Sequence, residues 1–139
     1  MKICVDLDGT IACNKKAGES YEDVEPMPLA VESLKKLEKE GFYIIIHTAR
    51  HMGTCKNNLG QVIAKQAAVV TNWLKKYDIP YDELLFGKPN VDYFIDDKGI
   101  GFTDWQSTIQ VRTVRPTLEV FPLLQMRYFG LEFLISASI

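Results

Sequence analysis

The sequence contains no apolar run near the roughly 20 residues that a bilayer span needs. The longest in a candidate core is Phe42-Tyr43-Ile44-Ile45-Ile46. Cysteine is scarce: Cys4, Cys13 and Cys55 are an odd set without framework spacing, which argues against a disulfide scaffold and for a reducing compartment. Charge of one sign is missing too. The 16 Lys+Arg oppose 18 Asp+Glu, a formal net charge of −2, too balanced for a protein that tracks phosphate backbones electrostatically. There are no internal repeats, low-complexity tracts or linker-like runs. The first acid, Asp6, arrives too early for a secretory apolar region, so a cytoplasmic location is expected.

What remains is ordinary globular composition, 47% hydrophobic and 24% charged over 139 residues. That length suits one compact domain, 1–139, with a core of about 1–114 and an apolar tail, 115–139. Residues 2–7 read as a short buried strand. Residues 14–27 are polar and close on Pro26 and Pro28, a loop. Leu29, Val31, Leu34 and Leu37 fall on helical spacing up to Glu40, between a starting Pro28 and a stopping Gly41. Phe42–His47 reads as a second strand, 50–58 as a loop, and Val62–Tyr77 as a second helix. Leu84–Phe86 and Val91–Ile95 read as further strands and Ile109–Val114 as a fifth. Strands alternating with helices imply an α/β fold with a mostly parallel sheet flanked by helices.

In such folds ligands sit outside the carboxyl ends of the strands. Asp6 and Asp8 end the first strand, Thr48 ends the second, Lys88 follows the third, and Asp96 and Asp97 end the fourth. All are expected at one edge. Acids two residues apart share a side of an extended chain, although Gly9 beside them signals a bend. Clustered carboxylates repel unless a cation or a shared proton intervenes. Mg²⁺ suits the task, because it takes one or two carboxylates plus phosphate oxygens and water. Lys88 and the Thr48 hydroxyl would add a positive charge and a donor for phosphate, which is most of what phosphoryl transfer needs.

Taken in order, Asp6-Leu7-Asp8-Gly9-Thr10 after a strand, an apolar strand ending in Thr48, then Lys88, then Asp96-Asp97 resemble the four motifs of the haloacid dehalogenase-like (HAD) phosphatases across residues 2–104. Thr48-Ala49-Arg50 and the stretch from Gly87-Lys88-Pro89 to Ile95-Asp96-Asp97 are similar to the small capsule or polysaccharide-biosynthesis phosphatases. The resemblance implies a Rossmann-like fold and a Mg²⁺-dependent phosphomonoester hydrolase acting through an aspartyl-phosphate. Its substrate would be a small phosphorylated metabolite, a sugar or polyol phosphate. Asp6 would be the nucleophile, and Asp8 would protonate the leaving oxygen and then activate water. Thr48, Ala49, Arg50 and Lys88 would hold the substrate phosphate. Asp6, Asp8 (through its backbone carbonyl), Asp97 and Asp96 would serve the metal, with Asp97 the better match for the direct ligand.

The resemblance is to a type without a separate cap domain, since residues 11–41 and 49–87 leave no room for one. The loop 50–58 is the candidate local lid. Lys88-Pro89-Asn90 runs almost directly into the next strand, whereas a parallel crossover takes about a dozen residues, so 84–86 is expected as an extended edge segment. No nucleic-acid or membrane partner is expected. The tail, with Tyr128, Phe129 and Phe133, suggests core or homo-oligomer contact. Arg50 either grips an anion with its fork or makes a surface salt bridge. His51, Cys55 and Cys13 match no zinc spacing, and His47 reads as a packed histidine. The alternatives are a nucleotide or nucleic-acid-end phosphatase and, in another class, a phospho-acceptor or phosphate-binding regulatory module without turnover.

Overall fold

The structure, a computed structural model, describes residues 1–113. Three strands, β1 (Lys2–Asp6), β2 (Tyr43–Thr48) and β3 (Glu83–Phe86), alternate with helices α1 (Ala30–Lys39), α2 (Leu59–Lys76) and α3 (Trp105–Thr113). The strands pair in parallel in the order β1-β2-β3, with Asp6 opposite His47 and Thr48 opposite Phe86. Their carboxyl ends therefore open on one edge. The architecture is a Rossmann-like α/β sheet flanked by helices, with no cap domain among the described residues.

Alternate residues of β2 (Ile44, Ile46 and Thr48) are buried, as the two-residue side-chain period of a strand dictates. Ile44 and Ile46 join Val5, Leu7, Leu34, Leu37, Val70 and Trp73 in one core. Trp73, from α2, is buried and its indole N–H donates to the Val24 carbonyl at 2.7 Å. Truncating such a residue costs about 3–5 kcal/mol, so this contact ties the loop after β1 firmly to the helix. No helix among the described residues is long and apolar enough to cross a membrane.

Several boundaries depart from expectation for local reasons. α1 buries Ala30, Ser33, Leu34 and Leu37, while Leu29 stands outside it, half exposed in the left-handed region at φ 63°. α2 begins at Leu59, three residues before Val62, because the Asn58 side chain caps it by accepting the Gln61 N–H at 3.1 Å. The Ile109–Val114 strand is corrected: residues 109–113 lie in helix α3, and Val114 lies outside the described residues. Asp104 caps that helix, accepting from Ser107 N–H at 2.8 Å and from the Ser107 hydroxyl at 2.8 Å. A cap outweighs the strand preference of scattered β-branched residues.

Leu84–Phe86 is a full member of the sheet and not a loose edge segment. The Val91–Ile95 strand is corrected in turn, since those residues are irregular and exposed, Tyr93 at 87% and Ile95 at 103%. Only four residues separate Phe86 from Val91, too few for a parallel crossover. The tail beyond 113, with Tyr128, Phe129 and Phe133, lies outside the described residues.

Candidate active site

After β1 the chain turns sharply. Ile11 and Ala12 N–H donate to the Leu7 carbonyl at 2.9 and 2.8 Å, and Gly9 N–H to Ala12 at 2.7 Å. Gly9 adopts φ +84°, and a Cβ there would lie 3.2 Å from Asn14 Oδ1, so only glycine fits without strain. The turn brings Asp6 and Asp8 to the wall of one cavity of about 580 Å³, a size suited to a small molecule. From the end of β2 come Ala49, Arg50 and His51, and from the end of β3 come Lys88 and Asn90. Lys88 is drawn there by its own N–H, which donates to Thr48 O at 3.1 Å and continues the β2–β3 pairing. A smaller hollow of about 210 Å³ between α1 and α3, around Leu29, Trp105 and Ile109, gathers no such cluster.

Each carboxylate in the cavity has its own cation. Lys88 Nζ lies 3.0 Å from Asp6 Oδ1. Arg50 forks onto Asp8, with Nη2 donating to Oδ1 at 2.6 Å and Nε to Oδ2 at 3.2 Å. The Arg50 side chain is wholly buried and that of Asp8 is 29% exposed, so this is no surface salt bridge. Two-point bonds of this kind fix orientation as well as charge. Arg50 Nη1 is enclosed without a partner. An unmet buried donor costs about 1–3 kcal/mol, so the guanidinium is placed for Asp8 and not for its own full satisfaction.

Sequence reasoning missed a third contributor, the loop after β1. Asn14, Lys15 and Tyr21 line the same cavity. The Tyr21 ring lies 4.0 Å from the Arg50 guanidinium carbon and meets His51 edge-on at 5.6 Å. Burial pushes the Tyr21 phenol up, the Asp8 charge adds to the rise, and Arg50 opposes it. Polar loops carry no periodicity, so the one available signal was an aromatic residue isolated among Gly, Ser and acids.

Of the site residues expected from sequence, Asp6, Asp8, Ala49, Arg50 and Lys88 meet at this cavity. Thr48 does not reach its wall. It is fully buried, and its hydroxyl oxygen accepts the Arg50 N–H at 3.0 Å. That bond shapes the turn presenting Arg50. Asp96 and Asp97 are also not brought in. Both are exposed and absent from the cavity wall, because the strand meant to deliver them is not formed. Asp96 instead accepts the Lys98 N–H.

His47 is half-buried opposite Asp6, with its pKa lowered by burial and then by Lys88, against a smaller rise from Asp6. Cys55 packs with Met52 and Val62 in a small apolar cluster, and the Cys13 thiol contacts Pro26 O and the Met27 sulfur.

Among the described residues no three His, Cys, Asp or Glu side chains are grouped to hold a metal. Two carboxylates, Asp6 and Asp8, do share the cavity. Mg²⁺ is often held by one or two carboxylates with water and substrate oxygens completing its shell, so this donor set fits it as an open site. Asp6 is the freer donor, paired through Oδ1 alone, while both Asp8 oxygens engage Arg50.

No family model and no curated protein matches the sequence. Among solved structures, a structural-genomics target protein from Vibrio cholerae is 38% identical, with a TM-score of 0.66, over 71% of this chain and 81% of its own. A chain of a Pnkp1/Rnl/Hen1 complex is 25% identical with a TM-score of 0.45, covering 69% of this chain and 30% of its own. The D,D-heptose 1,7-bisphosphate phosphatase from B. bronchiseptica, complexed with magnesium and phosphate, is 15% identical with a TM-score of 0.47, covering 81% and 63%.

Proposed function

The chain belongs to the same family as the Vibrio cholerae protein, and from that premise and the site we propose that it is a phosphomonoester hydrolase of the HAD type. The observation that carries the reading is the convergence of Asp6, Asp8, Arg50 and Lys88 on one cavity at the carboxyl edge of the sheet. An Asp6 carboxylate oxygen attacks phosphorus, and the bond from phosphorus to the substrate oxygen breaks. Asp8 gives that oxygen its proton. Asp8 then takes a proton from the water that attacks the aspartyl-phosphate, which releases phosphate and restores Asp6.

Lys88 offsets the charge of the transferring group, and Arg50 holds the Asp8 carboxyl in place. Because the Arg50 fork occupies both Asp8 oxygens, substrate entry must loosen at least one of those bonds before Asp8 can carry a proton. The Asp6 carboxylate and the Asp8 backbone carbonyl would hold Mg²⁺, which would supply further charge neutralisation. Asp6, Asp8, Arg50, Lys88 and Lys15 give the cavity three cations against two carboxylates, which supports an anionic ligand.

The cavity volume supports a small phosphorylated metabolite, and we assign a sugar or polyol phosphate as substrate. We read the chain as a single domain, and free cysteines at all three described positions support a reducing, cytoplasmic setting. A phosphate-release screen over sugar, polyol, nucleotide and oligonucleotide-end phosphomonoesters, with and without Mg²⁺, tests the reading. Release from sugar or polyol phosphates that rises with Mg²⁺ supports it. Release from nucleic-acid ends alone moves the substrate class, and metal and phosphate binding without turnover overturns the hydrolase.

A further inference from the structure

The loop that carries Tyr21 has no part in the reaction just described, yet it reaches the site and is pinned there. It leaves the sheet edge at Ala12 and returns through an antiparallel bridge between Ala12 and Pro26. Between those points the Val24 carbonyl is held by Trp73 and the Glu22 carbonyl by Lys76 Nζ at 3.1 Å. Tyr21 is thus one residue from an anchored carbonyl. Its ring lies 4.0 Å from the Arg50 guanidinium carbon, close enough for a guanidinium–aromatic contact, with Lys15 Nζ a further 5.6 Å neighbour of the ring.

The guanidinium has two fixings. Nε and Nη2 are taken by Asp8 and Nη1 bonds to nothing. The fork fixes Arg50 relative to Asp8, but it cannot fix the pair relative to the rest of the cavity. The ring of Tyr21, on an anchored loop, can.

We propose that Tyr21 acts through Arg50 as a positioning residue that aims Asp8 at the leaving-group oxygen, so that the pinned loop gives an uncapped site an alignment it otherwise lacks. The proposal rests on the reading of Asp8 as the group that protonates that oxygen. Protonation matters for an alkyl phosphate, whose alkoxide is a poor leaving group, and hardly at all for 4-nitrophenyl phosphate, whose phenolate departs unprotonated. A positioning role for Tyr21 is therefore selective between leaving groups, while a merely structural or binding role is not.

The test measures kcat/KM on both substrates, with melting temperatures, for the unmodified protein, Tyr21→Leu and Tyr21→Phe. Misaimed general acids lose on the order of tenfold to a hundredfold. Tyr21→Leu is expected to lower kcat/KM for the alkyl phosphate by about tenfold or more and for the nitrophenyl ester by less than about threefold. Tyr21→Phe, which keeps the ring face, is expected to restore the ratio of the unmodified protein. Should Tyr21→Leu not fold, Arg50→Lys, which keeps the charge and loses the fork, is read by the same ratio. Equal losses on the two esters, no loss on either, or a Phe variant that behaves like the Leu variant overturns the proposal. An unmodified protein that releases phosphate from neither ester overturns the hydrolase reading itself, and the positioning role falls with it.

Discussion

Two stretches of this chain are built alike and end differently. Lys2-Ile3-Cys4-Val5-Asp6 and Val91-Asp92-Tyr93-Phe94-Ile95 are both short, rich in strand-favouring residues and followed by acids. The first is a strand paired with β2, and it carries Asp6 and Asp8 into a cavity with their cations. The second is irregular and exposed, and Asp96 and Asp97 remain at the surface. Composition does not separate them. Reach does, since β1 and β2 are joined by a loop and a helix, whereas Val91 follows β3 after four residues. An acid becomes part of a site when its strand has a partner.

That comparison can be broken at three points. The largest expected effect is chemical. Asp6→Asn should lower phosphate release by about 10³-fold or more, as removal of a nucleophile does, while Asp92→Asn, an exposed acid of the second stretch, should stay within about twofold of the unmodified protein. Similar losses in both would erase the distinction. Next, amide hydrogen exchange should be slower across Ile44–Thr48 than across Val91–Ile95 by about 10²-fold or more, because a central strand opens only with much of the fold. Equal protection would mean that the second stretch is paired after all.

The smallest effect concerns His47. Its folded pKa lies below the unfolded value of about 6.5, so the fold prefers the neutral ring. Its contribution is present above that value and is lost as pH falls through the lower folded pKa. Denaturant midpoints of the unmodified protein should fall more steeply than those of His47→Gln between pH 7.5 and 5. Solvent screening keeps the difference small, and parallel curves would refute it.

The same contrast explains what was legible in the sequence. β1, β2, α1 and α2 announced themselves through apolar spacing and their stops, and strand order alone placed Asp6, Asp8 and Lys88 at one edge, though it placed Asp96 and Asp97 there as well. Caps were harder to see. Asn58 sets a helix start through one side-chain bond and Asp104 through two, which no periodicity reveals, and so residues 109–114 read as a strand although α3 runs to Thr113. Thr48 lies at the expected strand end, but residue type alone does not reveal that its hydroxyl oxygen accepts from its own chain. Tyr21 carried only the faint signal of an isolated aromatic, because its placement depends on the Trp73 and Lys76 anchors far along the chain.

The central claim is that Asp6 becomes covalently phosphorylated during turnover. Rapid quenching with a turned-over phosphomonoester, borohydride reduction of any acyl phosphate, and peptide mass spectrometry test it most directly. The account predicts reduction at position 6 that requires substrate and disappears in Asp6→Asn. Continued phosphate release with no modification at position 6, or with the label on another carboxylate, would contradict it.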